Sequence, residues 1–320
     1  MTTQQTTAVT TANNAQVAGK PKKIDVLKNM LNAPSVMEQF KNALAKNAST
    51  FVASVIDLYN TDSKLQLCEP RQVVSEALKA AVLHLPINRA LGYAYIVPYK
   101  NTKKDERGNY IKVYEPSFQL GYKGYIQLAM RTGQYRTINA DVVYDGELRK
   151  VNKLTGEIAF DGEKKSDKIV GYFCYFELMN GFSKTLYMTV EQVAAHAKRY
   201  SKGLVSYDKD GKPEDVTEDA LVRLAALPFS PDSKKVGWLG NFHAMAIKTV
   251  IRTLLSKYGY LSIEMQNAFA DDNEADYDND VADRERLVSH NATKVINMDE
   301  AEFEPVTDGA NAPAQDDPGY

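Results

Sequence analysis

The stretch QLGYKGYIQLAMRTGQY, residues 119–135, predicts a short amphipathic helix that ends near Gly133. Lys123, Gln127 and Arg131 recur every four residues and form one polar stripe, while the apolar residues between them mainly face elsewhere. Gly133 is expected just beyond the helix end, because glycine readily adopts the left-handed conformation that closes many helices.

β-rich runs lie on both sides of this helix. Two of them precede it, Tyr93–Tyr99 and Tyr110–Phe118, and a charged turn at 100–109 separates them. Further strand-like runs follow it at Ile138–Tyr144, Gly156–Phe160, Val170–Leu178 and Lys184–Met188. Both faces of the run that starts at Val170 are largely apolar or aromatic, which is typical of a central strand.

Helices are predicted before and after this β region. Ser35 and Glu38 form a capping-box pattern, which predicts a helix that begins after Pro34 and reaches Tyr59. The other predicted helices start at Pro70, at the capping box of Thr189 and Gln192, after Thr217 and at about Leu239, with the last ending at Gly259. A loop is expected at 201–216 and a turn at Ser230–Ser233. This order of elements indicates an α+β fold.

The charge of the chain is unevenly distributed. Residues 271–320 hold 15 Asp and Glu against 3 Lys and Arg, a balance of −12, so that residues 1–270 carry +10. A basic body with an acidic tail is typical of nucleic-acid-binding proteins, although a tail that only keeps the protein soluble is the alternative. Composition predicts a disordered arm (1–23), a core (24–270) and a disordered acidic tail (271–320).

Several kinds of site are missing from the sequence. It contains no GxxxxGK(S/T) loop, no GxGxxG after a strand, no GxSxG elbow and no HExxH motif, so a nucleotide cofactor is not expected. The two cysteines, Cys68 and Cys174, cannot form a disulfide framework or a zinc site, and Cys174 is expected to be a buried thiol. This cysteine content fits a reducing cytoplasm, and the sequence has no membrane-length apolar run and no secretory signal.

The best candidate for a catalytic set is acidic. Asp145, Asp161 and Glu163 lie among the predicted strands, and carboxylates near a lysine could hold Mg²⁺ for phosphodiester cleavage. Both aspartates precede a glycine, however, and such turn dipeptides alone account for the whole set. The four histidines show no ligand spacing. A Mg²⁺-dependent nuclease remains the enzymatic alternative, and a structural phage protein that only polymerises is another.

Cationic and aromatic residues occur side by side in several segments. Lys248 and Arg252 lie on one face of the last predicted helix, as Lys123 and Arg131 do on the helix within 119–135. Residues 198–200 (Lys-Arg-Tyr) add a third basic site. Cations neutralise phosphates and ring faces stack on bases. These residue types therefore suit a protein that holds single-stranded nucleic acid without reading its sequence.

Three blocks of this sequence resemble the RecT family of phage single-strand annealing proteins. They are ALGYAYIVPYKN (90–101), QLGYKGYIQLAMRTGQY followed by INADVVYDGE (138–147), and WLGNFHAMAIKTVIRTLLSKY (238–258) with LSIEMQNAF (261–269). The blocks occur in the order typical of the family, and Pro34-Ser35 fits the start of its conserved body. The resemblance spans about residues 34–269, whereas 148–168 and 201–216 match poorly.

The resemblance implies a fold and a function. Such proteins anneal complementary strands and promote strand invasion in phage recombination without ATP, so neither a cofactor nor catalytic residues are expected. The implied fold is a small antiparallel β-sheet braced by helices, assembled into homo-oligomeric rings or helical filaments. The implied partners, in the cytoplasm of a bacterial host, are single-stranded DNA, the annealed duplex intermediate, a phage exonuclease and a host single-strand-binding protein.

The resemblance also assigns DNA-binding residues. Tyr122, Lys123 and Arg131 match the GY(K/R)G…R positions of the family. Lys248, Arg252 and Lys257 match its basic C-terminal helix, and Tyr99, beside Lys100, matches a position that holds Tyr or Phe. Local chemistry adds five further candidates: Arg136, Lys198, Arg199, Tyr200 and Trp238.

Overall fold

The computed structural model of the chain describes residues 22–105, 107–201, 204–207, 213–227 and 237–276. The arm up to residue 21, the tail beyond 276 and the turn predicted at Ser230–Ser233 lie outside these ranges. The described residues form an α+β structure in which helices surround small antiparallel sheets, as the sequence predicted. Within these ranges, no helix is both long and apolar enough to cross a membrane.

Helices α1 (Lys23–Asn32), α2 (Pro34–Leu44), α3 (Ala48–Thr61) and α4 (Pro70–Val82) pack together at the N-terminal end of the core. Helix α4 begins at Pro70, as predicted. Helix α1 was not predicted from the sequence. It forms because Leu27 and Leu31 lie one turn apart and are buried against the neighbouring helices.

The prediction of one helix from Pro34 to Tyr59 is wrong. Ala45 adopts a φ of 49°, which ends α2 and leads through one 3₁₀ turn into α3. The rings of Phe40 and Phe51 contact each other across this break, at 5.9 Å between centroids. The capping box at Ser35 is also wrong: Pro34 occupies the first helical position, and the cap residue is Ala33, without a side-chain hydrogen bond.

Strands β1 (Ala94–Lys104) and β2 (Tyr110–Leu120) form a long antiparallel hairpin. The charged segment 100–109 is therefore not all turn, because its first half continues β1 in register with β2. The chain turns near Asp105, whose carboxylate accepts hydrogen bonds from the backbone N–H groups of Arg107 and Asn109.

Helix α5 (Tyr122–Arg131) follows the hairpin directly, and Gly133 adopts a φ of 68° just after it, as predicted. The chain then forms β3 (Tyr135–Tyr144), the short hairpin of β4 (Lys150–Val151) and β5 (Ile158–Ala159), β6 (Ile169–Leu178) and β7 (Ser183–Thr189). The antiparallel order β3–β6–β7 confirms that the run starting at Val170 is central. Cys174 on β6 is buried as expected, and burial raises the pKa of its thiol to about 12.

The capping box at Thr189 and Gln192 is present and starts α6 (Val190–Tyr200). The loop expected at 201–216 is partly wrong, since β8 (Val205–Tyr207) and β9 (Pro213–Asp215) pair within it. Thr217 caps α7 (Glu218–Ala225), as predicted. The last predicted helix consists of a 3₁₀ turn at Gly237–Leu239 followed by α8 (Phe242–Tyr258), which packs across β6 and β7 and ends at Gly259.

The core continues beyond its predicted end. Helix α9 (Ile263–Asp276) extends six residues past position 270 and packs on β2 and α5. Its Met265, Ala268 and Phe269 are buried, and the Phe269 ring meets Tyr125 edge-on at 4.9 Å. The acidic composition of 271–276 led to the prediction of disorder there, although these residues continue the helix.

Candidate nucleic-acid interface

A basic cluster lies at the end of α6, and Arg252 of α8 acts on it through its charge. The ring of His196 lies 4.6 Å from that of Tyr200, and the Arg199 guanidinium lies 5.3 Å from the Tyr200 ring. Burial lowers the pKa of His196 to about 4, with further lowering by the positive charges of Arg252 and Arg199. Two guanidinium groups from distant segments therefore act on one imidazole, and such a positive surface can attract phosphate.

If single-stranded DNA binds at this cluster, the pKa of His196 should rise, because phosphates would offset the charges of Arg199 and Arg252. In the free protein this pKa lies below the unfolded value of about 6.5, so the folded state loses stability as pH falls from about 6.5 towards 4. An NMR titration of the imidazole, assigned with His196→Gln, measures the change. An unchanged pKa in the bound state would place the phosphates elsewhere.

A second cationic group lies at the start of α5. The Lys123 amine is 6.0 Å from the Tyr122 ring, and burial, followed by the effect of Tyr122, raises the pKa of Tyr95. Gly121 caps α5 without a side-chain hydrogen bond, so no side chain competes for the first amide groups of the helix. The exposed Lys123 beside a helix N-terminus is a suitable environment for an anion.

The structure buries Lys248, which was expected in the DNA groove. Its amine donates to Asp272 at 2.8 Å, and both side chains are almost inaccessible to solvent. Asp272 also accepts from the Tyr125 hydroxyl at 2.6 Å and from the backbone N–H of Leu120 at 3.1 Å. Lys248 therefore joins α8 to α9 in the interior and presents no charge at the surface.

Arg131 and Trp238 also have internal partners. The Arg131 guanidinium donates to the backbone carbonyls of Leu83 and His84, at 2.7 and 2.9 Å, which ties α5 to the end of α4. The Trp238 ring is buried 5.3 Å from Phe242, at the start of α8. Phosphate contact by Arg131 would have to compete with two hydrogen bonds, and a buried indole is not available for stacking.

The remaining predicted residues lie at the surface in separate places. The hairpin carries Tyr99 and Lys100, and the Lys100 amine is 6.0 Å from the Tyr114 ring. Lys198 pairs with Asp215 at 2.6 Å, and Arg136 pairs with Glu177 at 3.0 Å. Lys257 is exposed at the end of α8. Of the thirteen predicted residues, the structure shows two local groups, Arg199–Tyr200–Arg252 and Tyr122–Lys123.

The acidic set considered for a nuclease occupies turns. Asp145 is followed by Gly146 with a φ of 94°, and its carboxylate accepts from the Ser166 hydroxyl at 3.3 Å. Asp161 lies 3.9 Å from the Arg149 guanidinium. Among the described residues, no group of three or more His, Cys, Asp or Glu side chains could hold a metal ion. These contacts favour the turn interpretation.

Comparison with known proteins decides the family. The RecT family matches residues 49–286, from the second residue of α3 to beyond the end of α9. This chain belongs to the RecT family. It is therefore a recombination and annealing protein that handles DNA.

Two relatives show the extent of the similarity. The uncharacterized protein YqaK of Bacillus subtilis (strain 168) is 43% identical over 249 residues, which cover 78% of this chain and 72% of YqaK. Protein RecT of Escherichia coli (strain K12) is 27% identical over 285 residues, which cover 86% of this chain and 89% of that protein. The RecT-family similarity thus extends over both cationic groups and the buried Asp272.

Sequence reasoning missed two residues of this RecT-family chain. His196 lies one helical turn before Tyr200, beside Lys198 and Arg199. This spacing could have indicated that His196 shares a helix face with Tyr200. Asp272 had no comparable signal, because it is one of many acids in the C-terminal sequence. Its role depends on the side chains that α9 reaches in three dimensions.

Proposed function

We propose that the chain binds single-stranded DNA and anneals complementary strands without ATP and without cutting them. The supporting observation is the group of Arg199, Tyr200 and His196 at the end of α6, where the charges of Arg199 and Arg252 lower the pKa of His196, in a RecT-family chain. Cations hold the phosphates and rings support the bases, so the strand can be held without base-specific contacts. Pairing of the complementary strand then provides the driving free energy, and no turnover chemistry is needed.

The proposed contact surface differs from the thirteen residues first predicted. It contains Arg199, Tyr200 and Arg252 at one place, and Tyr122 and Lys123 at the start of α5, a helix that packs against α8. Lys248 and Trp238 are left out because their side chains are buried, and Arg131 is left out because its exposed guanidinium already donates to two backbone carbonyls. We further propose that protomers assemble into a ring or filament, and that a phage exonuclease supplies the single strand.

An annealing assay tests the proposed activity directly. Labelled complementary strands are mixed with the protein, with and without ATP and Mg²⁺, and the products are separated on a gel. We expect full-length duplex to form faster with the protein and equally well without ATP. Shortened products that require Mg²⁺ would favour the nuclease alternative, and assembly of the protein without any acceleration of pairing would favour a purely structural protein.

The salt dependence of binding should report the phosphate contacts. If a protomer neutralises about four phosphates, log K should fall against log salt with a slope near −3, from about −0.7 per phosphate. Arg199→Gln combined with Arg252→Gln should reduce this slope by about 1.4 in magnitude. Fluorescence anisotropy with oligothymidine at several salt concentrations measures it.

A matched control separates local contact from general charge. Arg149→Gln combined with Lys153→Gln removes the same charge from exposed positions around the β4–β5 hairpin. We expect this pair to leave the slope nearly unchanged. An equal reduction in both double variants would mean that Arg199 and Arg252 act only through net charge.

A further inference from the structure

Among the exposed aromatic rings outside the two cationic groups, three lie near the end of α8 and in the β6–β7 turn. Tyr258 and Tyr260 flank the end of α8 and are 48% and 50% exposed, and Phe182, in the β6–β7 turn, is 43% exposed. Large aromatic rings stabilise a fold most when they are buried. A group of exposed rings therefore indicates a surface that binds another molecule.

One chain of contacts links the backbone at Tyr260 to the ring of Phe182. The buried Tyr135 donates its hydroxyl to the backbone carbonyl of Tyr260 at 2.9 Å. Its ring meets Phe176 edge-on at 5.5 Å, and Phe176 in turn lies 6.1 Å from Phe182. The close approach of Tyr135 to the backbone after α8 requires glycine at position 259, since a Cβ there would lie 2.6 Å from the Tyr135 hydroxyl oxygen. Tyr260 and Phe182 are thus held on the same buried pair of rings.

A cation lies beside one of the exposed rings, that of Tyr258. Lys184 is paired with Phe176 across the β6–β7 ladder, and its amine lies 5.4 Å from the Tyr258 ring. The same amine is 3.4 Å from the carbonyl oxygen of Thr155, in the turn between β4 and β5. The exposed Lys257 adjoins Tyr258 in sequence. Ring faces and ammonium groups therefore occur together, as they do on surfaces that bind single-stranded nucleic acid.

We propose that Tyr258, Tyr260 and Phe182 form a stacking surface for unpaired nucleobases, with Lys184 contacting an adjacent phosphate. This inference rests on the single-strand binding proposed above and adds contacts to the bases. Every base has a π-face, so stacking on these rings holds a strand without selecting its sequence. The basic cluster of α6 and α8 would then hold the backbone, and the stacking surface would hold bases.

The test compares two strands that differ only in their bases. Oligothymidine and an abasic oligonucleotide of equal length carry the same phosphates, and their binding to the full-length chain is measured by anisotropy. Tyr258→Ala combined with Tyr260→Ala should weaken binding to oligothymidine by about 5- to 150-fold per stacked base. Binding to the abasic strand and the salt slope should stay as in the native chain.

Two further variants sharpen this test. Tyr110→Ala removes an exposed tyrosine that also lies beside a lysine, with the Lys104 amine 5.4 Å from its ring, and should leave the preference for bases intact. Tyr258→Trp keeps a ring and adds an exposed indole, whereas the native Trp238 is buried. Its fluorescence should be quenched by oligothymidine and not by the abasic strand.

The outcomes separate this inference from the proposed function. Native protein that binds both strands equally would overturn the stacking surface and leave single-strand binding in place. An equal loss for both strands in the double variant, or the same loss in Tyr110→Ala, would also overturn it. A changed sedimentation coefficient without DNA, with the base preference intact, would assign the rings to a protein interface. Native protein that binds neither strand would contradict both proposals.

Discussion

Asp272→Ala is expected to lower the free energy of unfolding by about 3–5 kcal/mol, because it leaves a buried ammonium group without a counter-charge. In the native chain the carboxylate accepts hydrogen bonds from the Lys248 amine, the Tyr125 hydroxyl and the Leu120 amide. Such a loss is a large fraction of the total stability of an ordinary domain. Urea denaturation followed by circular dichroism measures it.

Two controls define the origin of this loss. Asp215→Ala breaks the ion pair between Lys198 and the largely exposed carboxylate of Asp215. It should lower the free energy of unfolding by less than about 1 kcal/mol. Adding Lys248→Met to Asp272→Ala should recover part of the stability, because no uncompensated buried charge remains. If the double variant were as unstable as the sum of the single ones, the charge pair would not be the cause.

The same residue decides where the acidic tail can be cut. A chain that ends at Phe269 loses Asp272 together with the tail, so any change in DNA binding would be mixed with loss of the core. A chain that ends at Asp276 keeps the buried pair and removes the later acids. If the tail competes with DNA, this shorter chain should bind oligothymidine more tightly at low salt. Unchanged affinity would support the solubility alternative.

Gly124→Ala is expected to destabilise the fold by about 2–3 kcal/mol, although the same change in an open helix is normally stabilising. Gly124 lies inside α5, where an added Cβ would stand 2.3 Å from the carbonyl oxygen of Tyr93 and 2.7 Å from the Leu120 side chain. The backbone cannot yield easily there, because the segment that contains Tyr93 packs on α5 and Gly121 donates its N–H to the Tyr93 carbonyl.

The variant should also weaken the contacts at the start of α5. Lys123 directly precedes Gly124, and its side chain lies beside Gly92, in the segment that α5 contacts. Gly108→Asn is the control, since a Cβ at Gly108 meets nothing within 4 Å and Asn tolerates its positive φ. Chemical denaturation and oligothymidine binding are measured for both. Greater stability of Gly124→Ala would contradict the close packing.

Element type was predictable wherever a local pattern determined it. The helix that ends before Gly133, the capping box at Thr189 and the central apolar strand were confirmed, because each depends on residues a few positions apart. The break at Ala45 and the pairing of 100–104 with β2 were missed. In both places tertiary contacts and the opposite strand outweigh the local sequence preference.

By itself, the sequence determined the α+β class, the order of most elements and the RecT-family relationship, because these depend on periodicity, caps and long local motifs. Only the tertiary structure decided which cations reach the surface. Helical spacing placed Lys248 and Arg252 on one face of α8, yet Lys248 meets Asp272 in the interior, while Arg252 is partly exposed and its charge lowers the pKa of His196 on α6. The physical reason is that burial and charge pairing depend on residues brought together from distant segments, which no local pattern specifies.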